Sequence, residues 1–229
     1  FVLLGQVKKM ARIFISRDIS HRPGWVLQVE REGHQVTGIS CIQTTPLSVP
    51  YIPKCDWIFF SSSEGVRHLL SQHQLSGVKI GAMGKGTAQT LLEYELHADF
   101  VGSSSDPEMV ANEFQKVLQS KEIILFPQSV QTRNSIAPLL KDCTIERLQT
   151  YSTSSVAINP IDCDLYIFSS PSNVHSYFTQ HPAPIQQPCI AYGPVTAQAL
   201  SQQKIENIHV LQNVTNQTIY DAIKLSLLG

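Results

Sequence analysis

The chain is 229 residues long, which at roughly 100 to 200 residues per domain allows one large domain or two compact ones. Charged residues make up only 15%, and 17 basic against 18 acidic side chains leave a formal charge of −1, which argues against a non-specific nucleic-acid or membrane-surface binder. A hydrophobic fraction of 42% argues against disorder, while no apolar run approaches the roughly 18 residues that cross a bilayer.

The chain opens with a short apolar run ahead of Lys8 and Lys9, the reverse of a secretory signal's charge order, and Met10 directly precedes a clean strand pattern. Short apolar runs then alternate with stretches of helical spacing, so the expected class is α/β with parallel sheets. Strands are expected near 11–16, 35–40, 57–60, 78–83, 98–102, 122–126, 144–148, 164–168, 188–192 and 207–211. Helical stripes fall at Val66/Leu69/Leu70, Ala88/Leu91/Leu92, Val110/Phe114/Val117, Ile136/Leu139/Leu140, Val174/Tyr177/Phe178 and Ile219/Ala222/Ile223. Asp106-Pro107, Ser170-Pro171 and Gly193-Pro194 mark helix starts.

The strongest signal is an internal repeat. Cys55-Asp56-Trp57-Ile58-Phe59-Phe60-Ser61-Ser62 aligns with Cys163-Asp164-Leu165-Tyr166-Ile167-Phe168-Ser169-Ser170, 108 positions on. Gly84-Lys85-Gly86-Thr87-Ala88-Gln89-Thr90-Leu91 aligns with Gly193-Pro194-Val195-Thr196-Ala197-Gln198-Ala199-Leu200 at 109. Val110, Phe114 and Leu118 fall on Ile219, Ile223 and Leu227, and Ile13-Phe14-Ile15 resembles Ile124-Leu125-Phe126. The central part therefore reads as strand–helix units c, d, e, a, b, whereas the outer part supplies a and b from its start and c, d, e from its end. The expected organisation is a discontinuous domain of residues 10–40 plus 153–229, with a circularly permuted copy, residues 41–152, inserted into it.

Two crossings follow from that topology, at 41–53 and 149–155; both are Ser/Thr-rich, and the first carries Pro46, Pro50 and Pro53, as in an extended, hydrogen-bond-poor linker. A cleft between two lobes is the expected site, because open parallel sheets bind ligands beyond their carboxyl strand ends. The repeated turns lie there and carry small or hydroxylated residues: Ser61, Ser62, Ser63, Gly84 and Thr87 in one lobe, Ser169, Ser170, Ser172, Asn173, Gly193 and Thr196 in the other. Free N–H groups at helix starts make such turns anion sites; the alternative is that the hydroxyls only cap helices. Arg17 and Arg133 follow the two a-type strands and are candidates for a ligand carboxylate, or else are solvated surface groups. Tyr151, on the second crossing, either faces the cleft or plugs the hinge.

Other chemistries find no support. Gly86 separates Lys85 from Thr87, so the phosphate-loop spacing fails, and no GxGxxG follows the first strand. Cys41, Cys55, Cys143, Cys163 and Cys189 form no CxxC, which suggests reduced, mostly buried thiols in a cytoplasmic protein. His68/His73 and His175/His181 are not spaced as zinc ligands, and no metal is expected. There is no GxSxG elbow for covalent catalysis.

With these residues in place the sequence resembles the uroporphyrinogen-III synthase family. The resemblance rests on Ser16-Arg17, the run from Ile58 to Val66, Met83-Gly84-Lys85-Gly86-Thr87-Ala88, Leu148-Gln149-Thr150-Tyr151-Ser152-Thr153, the run from Ile167 to Val174, and Ala191-Tyr192-Gly193-Pro194-Val195-Thr196-Ala197. Asp18 stands where the family often has proline, and Phe126-Pro127-Gln128-Ser129 lacks a common Arg-Gly, for which Arg133 is the candidate substitute. The resemblance implies two flavodoxin-like lobes joined by a two-stranded linker, and a monomeric lyase without a cofactor. It also implies the reaction: hydroxymethylbilane loses its hydroxyl, ring D is inverted and the ring closes, with water released. Tyr151 matches the family's linker tyrosine and is the expected general acid. A two-lobed small-molecule binding protein without catalysis and a nucleotide-sugar transferase are the competing readings.

Overall fold

The computed structural model describes residues 10–131, 136–182 and 185–228. Eleven strands form: β1 (Arg12–Ile15), β2 (Gln35–Gly38), β3 (Ile42–Pro46), β4 (Trp57–Phe60), β5 (Lys79–Ala82), β6 (Phe100–Val101), β7 (Ile123–Ser129), β8 (Thr144–Ser155), β9 (Leu165–Phe168), β10 (Cys189–Ala191) and β11 (Ile208–Val210). Seven helices accompany them among the described residues: α1 (Gly24–Arg31), α2 (Ser63–Leu70), α3 (Lys85–Leu92), α4 (Pro107–Gln115), α5 (Pro171–Gln180), α6 (Pro194–Gln202) and α7 (Asn216–Leu228). The chain divides into two compact units, one from the residues up to Cys41 with those from Val156 onward, the other Ile42–Ser155.

The discontinuous unit holds a five-stranded parallel sheet in the order β11-β10-β9-β1-β2. Counted along its own strands that order is 2-1-3-4-5, the flavodoxin-like arrangement. The inserted unit has the order β3-β8-β7-β4-β5-β6. With β4, β5 and β6 as units c, d and e, and β7 and β8 as a and b, the spatial order b-a-c-d-e is common to both sheets. One architecture is therefore present twice, entered at different points of the chain.

The two copies bury matching faces. Leu165, Ile167, Ile13 and Ile15 pack with α1 and α7, while Tyr166, Phe168 and Phe14 pack with α5 and α6. In the inserted unit Trp57 and Phe59 pack with α4, and Ile58 and Phe60 with α2 and α3. Every residue of β4 and of β9 is buried, as expected for the middle strand of a parallel sheet covered on both sides. The paired Cys-Asp dipeptides have one job: Asp56 Oδ2 accepts from Ile123 N (2.8 Å) and Asp164 Oδ2 from Arg12 N (2.7 Å). Each carboxylate thus ties the amino end of strand c to that of strand a.

A second repeated device was not read from the sequence. Gln72-His73 and Gln180-His181 follow or end α2 and α5, and each pair grips the segment that leads into strand c. Gln72 Oε1 accepts from Val49 N (3.0 Å), Gln72 Nε2 donates to Leu47 O (3.0 Å) and His73 Nε2 donates to Val49 O (2.6 Å). Gln180 Oε1 accepts from Ile158 N (3.1 Å), Gln180 Nε2 donates to Val156 O (2.9 Å) and His181 Nε2 donates to Ile158 O (3.0 Å). Removing the amide strands a main-chain donor and acceptor together. Gln180→Ala and Gln72→Ala should each cost about 1–2 kcal/mol. In urea unfolding this appears as a lower midpoint with unchanged slope; an unmoved midpoint contradicts it.

Three expectations need correction. Residues 42–46 are not a hydrogen-bond-poor linker: β3 pairs antiparallel with the far end of β8, from Ile42↔Ser155 to Pro46↔Tyr151, and makes the two-stranded ribbon. Thr-rich alternation supports a ladder, and Pro46, which cannot donate, falls at its end. Second, the stripe Ile136/Leu139/Leu140 supports only a 3-10 turn, Ala137–Leu139, among the described residues, in the place α1 holds in the other copy. Leu140 is extended and Asp142 left-handed at φ 54°, so the turn cannot propagate. Third, Leu92 and Val117 are exposed; the stripe of α4 is Val110, Ala111 and Phe114.

Candidate functional site

The turns at the carboxyl ends of the strands differ in how fully their polar groups are used. In the inserted unit Ser62 caps α2, its Oγ accepting from Gly65 N at 3.2 Å. A Cβ at Gly65 would lie 3.0 Å from Pro127 O, so a side chain there would crowd the close approach of α2 to β7. Ser63 joins two helices, donating to Gly86 O (3.4 Å) and accepting from Thr90 Oγ1 (2.9 Å). Ser61 is half-buried. α3 starts differently: Gly84 offers no capping side chain, so the N–H groups of Lys85, Gly86 and Thr87 lack intrahelical acceptors. Nothing lies within 4 Å of a Cβ built on Gly86. Thr87 is buried, and its Oγ1 has no partner among the described residues.

The discontinuous unit repeats that contrast. Ser169 is occupied by Ser16, its N–H donating to Ser16 Oγ (2.9 Å) and its Oγ to Ser16 O (2.8 Å). Ser170 caps α5, accepting from Asn173 N (3.3 Å) and Nδ2 (3.0 Å). Asn173 is buried and its Oδ1 accepts from Cys41 N (2.8 Å), a structural contact. Ser172 is exposed. Thr196 is buried and donates back to Tyr192 O (3.3 Å). α6 again starts on a glycine without a side-chain cap; Gly193 sits at φ 94°, where L side chains are strained. In both copies, then, a serine caps one N–H group of the helix it starts, and the glycine turns supply no side-chain cap.

Arg17 is exposed, and its positive charge lies near enough to the Tyr192 phenol to act on it. Burial pushes the Tyr192 phenol well above the ordinary range, and Arg17 pulls it partly back. Arg133 lies outside the described residues.

Tyr151 lies in β8 and is buried, with 7% of its surface exposed. Its register explains its direction. Pairing of β7 with β8 slips between Gln128 and Ser129, so that Ser129 faces Tyr151 and Thr150 is the extra residue of a bulge. A bulge re-aims the neighbouring side chain. The Tyr151 hydroxyl lies 3.4 Å from Ser62 Oγ, at the amino end of α2. Its ring stacks on His68, centroids 4.7 Å apart and 18° between planes. His68 Nε2 is 2.9 Å from Thr44 Oγ1, which donates to Glu64 Oε2 at 3.1 Å. Burial raises the Tyr151 phenol above its ordinary value, the Ser62 contact lowers it and the Glu64 charge raises it further. The phenol therefore stays protonated at neutral pH. Thr44, Glu64 and His68 were missed because the helical pattern shows α2's buried stripe only, and a strand's pairing partner is not visible in local sequence.

Among the described residues no group of three or more His, Cys, Asp or Glu is placed to hold a metal ion, and no helix is long and apolar enough to cross a membrane.

Fold and site together define a duplicated, circularly permuted flavodoxin-like α/β protein with a glycine-started helix at the carboxyl rim of each sheet and a buried tyrosine in the ribbon. Two solved structures share the fold. Uroporphyrinogen-III synthetase from Helicobacter pylori is similar with a TM-score of 0.64 at 16% identity, covering 94% of this chain and 100% of that one. A mutant uroporphyrinogen III synthase from Thermus thermophilus gives 0.61 at 15%, covering 95% and 99%. No curated protein sequence matches. Residues 25–221 match the family described as uroporphyrinogen-III synthase HemD, and the chain belongs to that family. Its function lies in tetrapyrrole biosynthesis.

Proposed function

We propose that this chain is a lyase that converts hydroxymethylbilane to uroporphyrinogen III with inversion of ring D and loss of water, and that Tyr151 donates the proton to the departing hydroxyl. Tyr151 carries the reading. It is the buried phenol of the ribbon, held in its acid form by burial, next to the bulge at Thr150 and with its hydroxyl at the Ser62-capped start of α2. A positioned acid of this kind supplies typically about 10²–10⁴-fold.

The substrate carries eight carboxylates, and a chain of net charge −1 needs donors other than a basic surface. The uncapped starts of α3 and α6 supply them as main-chain N–H groups, aided by Thr87 and Arg17. Ser61, Ser62, Ser63, Ser169, Ser170, Ser172, Asn173 and Thr196 belong to the same turns, but most shape the turn rather than face a ligand. No cofactor enters the proposed reaction. The protein acts as a monomer in the cytoplasm in this reading. Because hydroxymethylbilane also closes unaided to the type I isomer, orientation of the open chain is the main contribution. Product analysis decides: purified protein given hydroxymethylbilane should yield the type III isomer, and type I alone would refute the activity.

A further inference from the structure

We propose that His68 is a positioning residue for Tyr151: Thr44 and Glu64 fix the imidazole, and the face of the imidazole holds the phenol ring, and with it the hydroxyl, in place. This inference rests on the reading of Tyr151 as the proton donor. One tautomer satisfies every contact around His68. With Nε2 protonated, Thr44 gives its single proton to Glu64 Oε2 (3.1 Å) and accepts from His68 Nε2 (2.9 Å), while the same carboxylate oxygen lies 3.5 Å from Nε2. Glu64 is itself held by Arg67 at 3.0 Å. The imidazole is thus locked in tautomer and in ring orientation by a chain that ends on a charge.

The other side of that ring is spent on Tyr151. The two planes lie 18° from parallel at 4.7 Å, and only 13% of the His68 side chain is exposed. The phenol hydroxyl has one weak partner, Ser62 Oγ at 3.4 Å, which is also occupied as the acceptor of Gly65 N. That contact alone does not hold the ring against a swing about χ1, which would carry the hydroxyl with it. The stacked imidazole supplies the missing restraint. A histidine serves better than a phenylalanine because its polar edge is tied to Thr44 of β3 while its face stays on β8, so one side chain locks helix α2 to both strands of the ribbon.

The test is turnover of hydroxymethylbilane to the type III isomer by His68→Ala, His68→Phe, Tyr151→Phe and the double variant His68→Ala/Tyr151→Phe. His68→Ala should lower kcat by about 10- to 100-fold, the cost of misplacing a reacting group by an ångström or less, with KM little changed. His68→Phe keeps the stacked ring and should recover most of that loss. In the Tyr151→Phe background His68→Ala should cost nothing further, because a residue acting through Tyr151 has nothing left to position. Should His68→Ala prove too unstable to assay, Thr44→Val decides, lowering kcat by about threefold or more at unchanged KM. Wild-type kcat in His68→Ala, or in Thr44→Val where that variant must decide, beside an impaired Tyr151→Phe, overturns the role of His68 alone. So does a full additional loss in the double variant. Wild-type turnover by Tyr151→Phe removes the proton donor and the positioning role with it.

Discussion

Tyr151→Phe is expected to lower kcat by about 10²–10⁴-fold while leaving substrate affinity within a few-fold. The substitution is close to a pure deletion of one hydroxyl. The ring stays buried and keeps its stack on His68, and Ser62 keeps its capping role because that role uses Gly65 N, not the phenol. The lost contact, 3.4 Å to Ser62, is too long to carry much stability, so a thermal midpoint close to wild type is part of the expectation. Burial keeps the phenol protonated beyond its ordinary value of 10.0, which suits a donor and excludes a phenolate base at neutral pH. Single-turnover measurement on hydroxymethylbilane isolates the step. Turnover within twofold of wild type, given the same type III product, would take Tyr151 out of the chemistry.

How far the sequence alone carried this is clearest where the repeat and the site part company. All ten strand patterns became strands, and the c, d, e, a, b reading of the centre reappears as one spatial order in two sheets. Strand patterning is local, and duplication doubles its evidence. The site was legible only as a set of turns. Gly84 and Gly193 stand at helix starts as read, but which hydroxyls remain free could not be seen, because the answer depends on partners far along the chain: Ser16 for Ser169, Cys41 for Asn173. The Thr150 bulge and the His68 stack are likewise consequences of register, which single-strand patterns do not specify. The Gln-His grip did carry a signal, since Gln72-His73 and Gln180-His181 stand at the same repeat offset as Cys55 and Cys163. Histidine spacing tests for metal ligands, and a donor to a distant main-chain carbonyl has no fixed spacing in sequence.

The discontinuous unit should unfold first as pH rises, beginning near pH 9 and well before its inserted copy. Its second core layer contains three thiols, Cys41, Cys163 and Cys189, all buried. Burial pushes Cys41 and Cys163 from 9.0 up to about 11 and Cys189 up to about 12. In the unfolded chain these thiols ionise near 9.0, so between pH 9 and 11 the unfolded state has lost protons that the folded state still holds. Fewer protons bound in the unfolded state means stability falls with rising pH. Each two-unit shift amounts to about 2–3 kcal/mol by pH 11. The three do not simply add, since Cys163 and Cys189 feel each other's charge. Burial raises the phenols of Tyr166 and Tyr177 in the same layer too, and extends the loss above pH 10. The total is on the order of a whole domain's stability of about 5–15 kcal/mol. The inserted unit sets against it two half-buried thiols, Cys55, up to about 11, and Cys143, together with the raised phenol of Tyr151, so fewer and less buried thiols. The two tryptophans make the comparison direct, because Trp25 is buried in the discontinuous unit and Trp57 in the inserted one. In Trp57→Phe and Trp25→Phe proteins the remaining fluorophore reports one unit each. The Trp25 signal should change at lower pH than that of Trp57, and Cys163→Ala should flatten its pH dependence. Coincident transitions, or Trp57 changing first, would show that the buried thiols do not set the alkaline limit. With the Trp25 signal changing first, activity between pH 9 and 10 is lost through unfolding of the discontinuous unit while the Tyr151 phenol is still protonated, so the alkaline limb of a rate profile reports Cys41, Cys163 and Cys189 and not the proton donor.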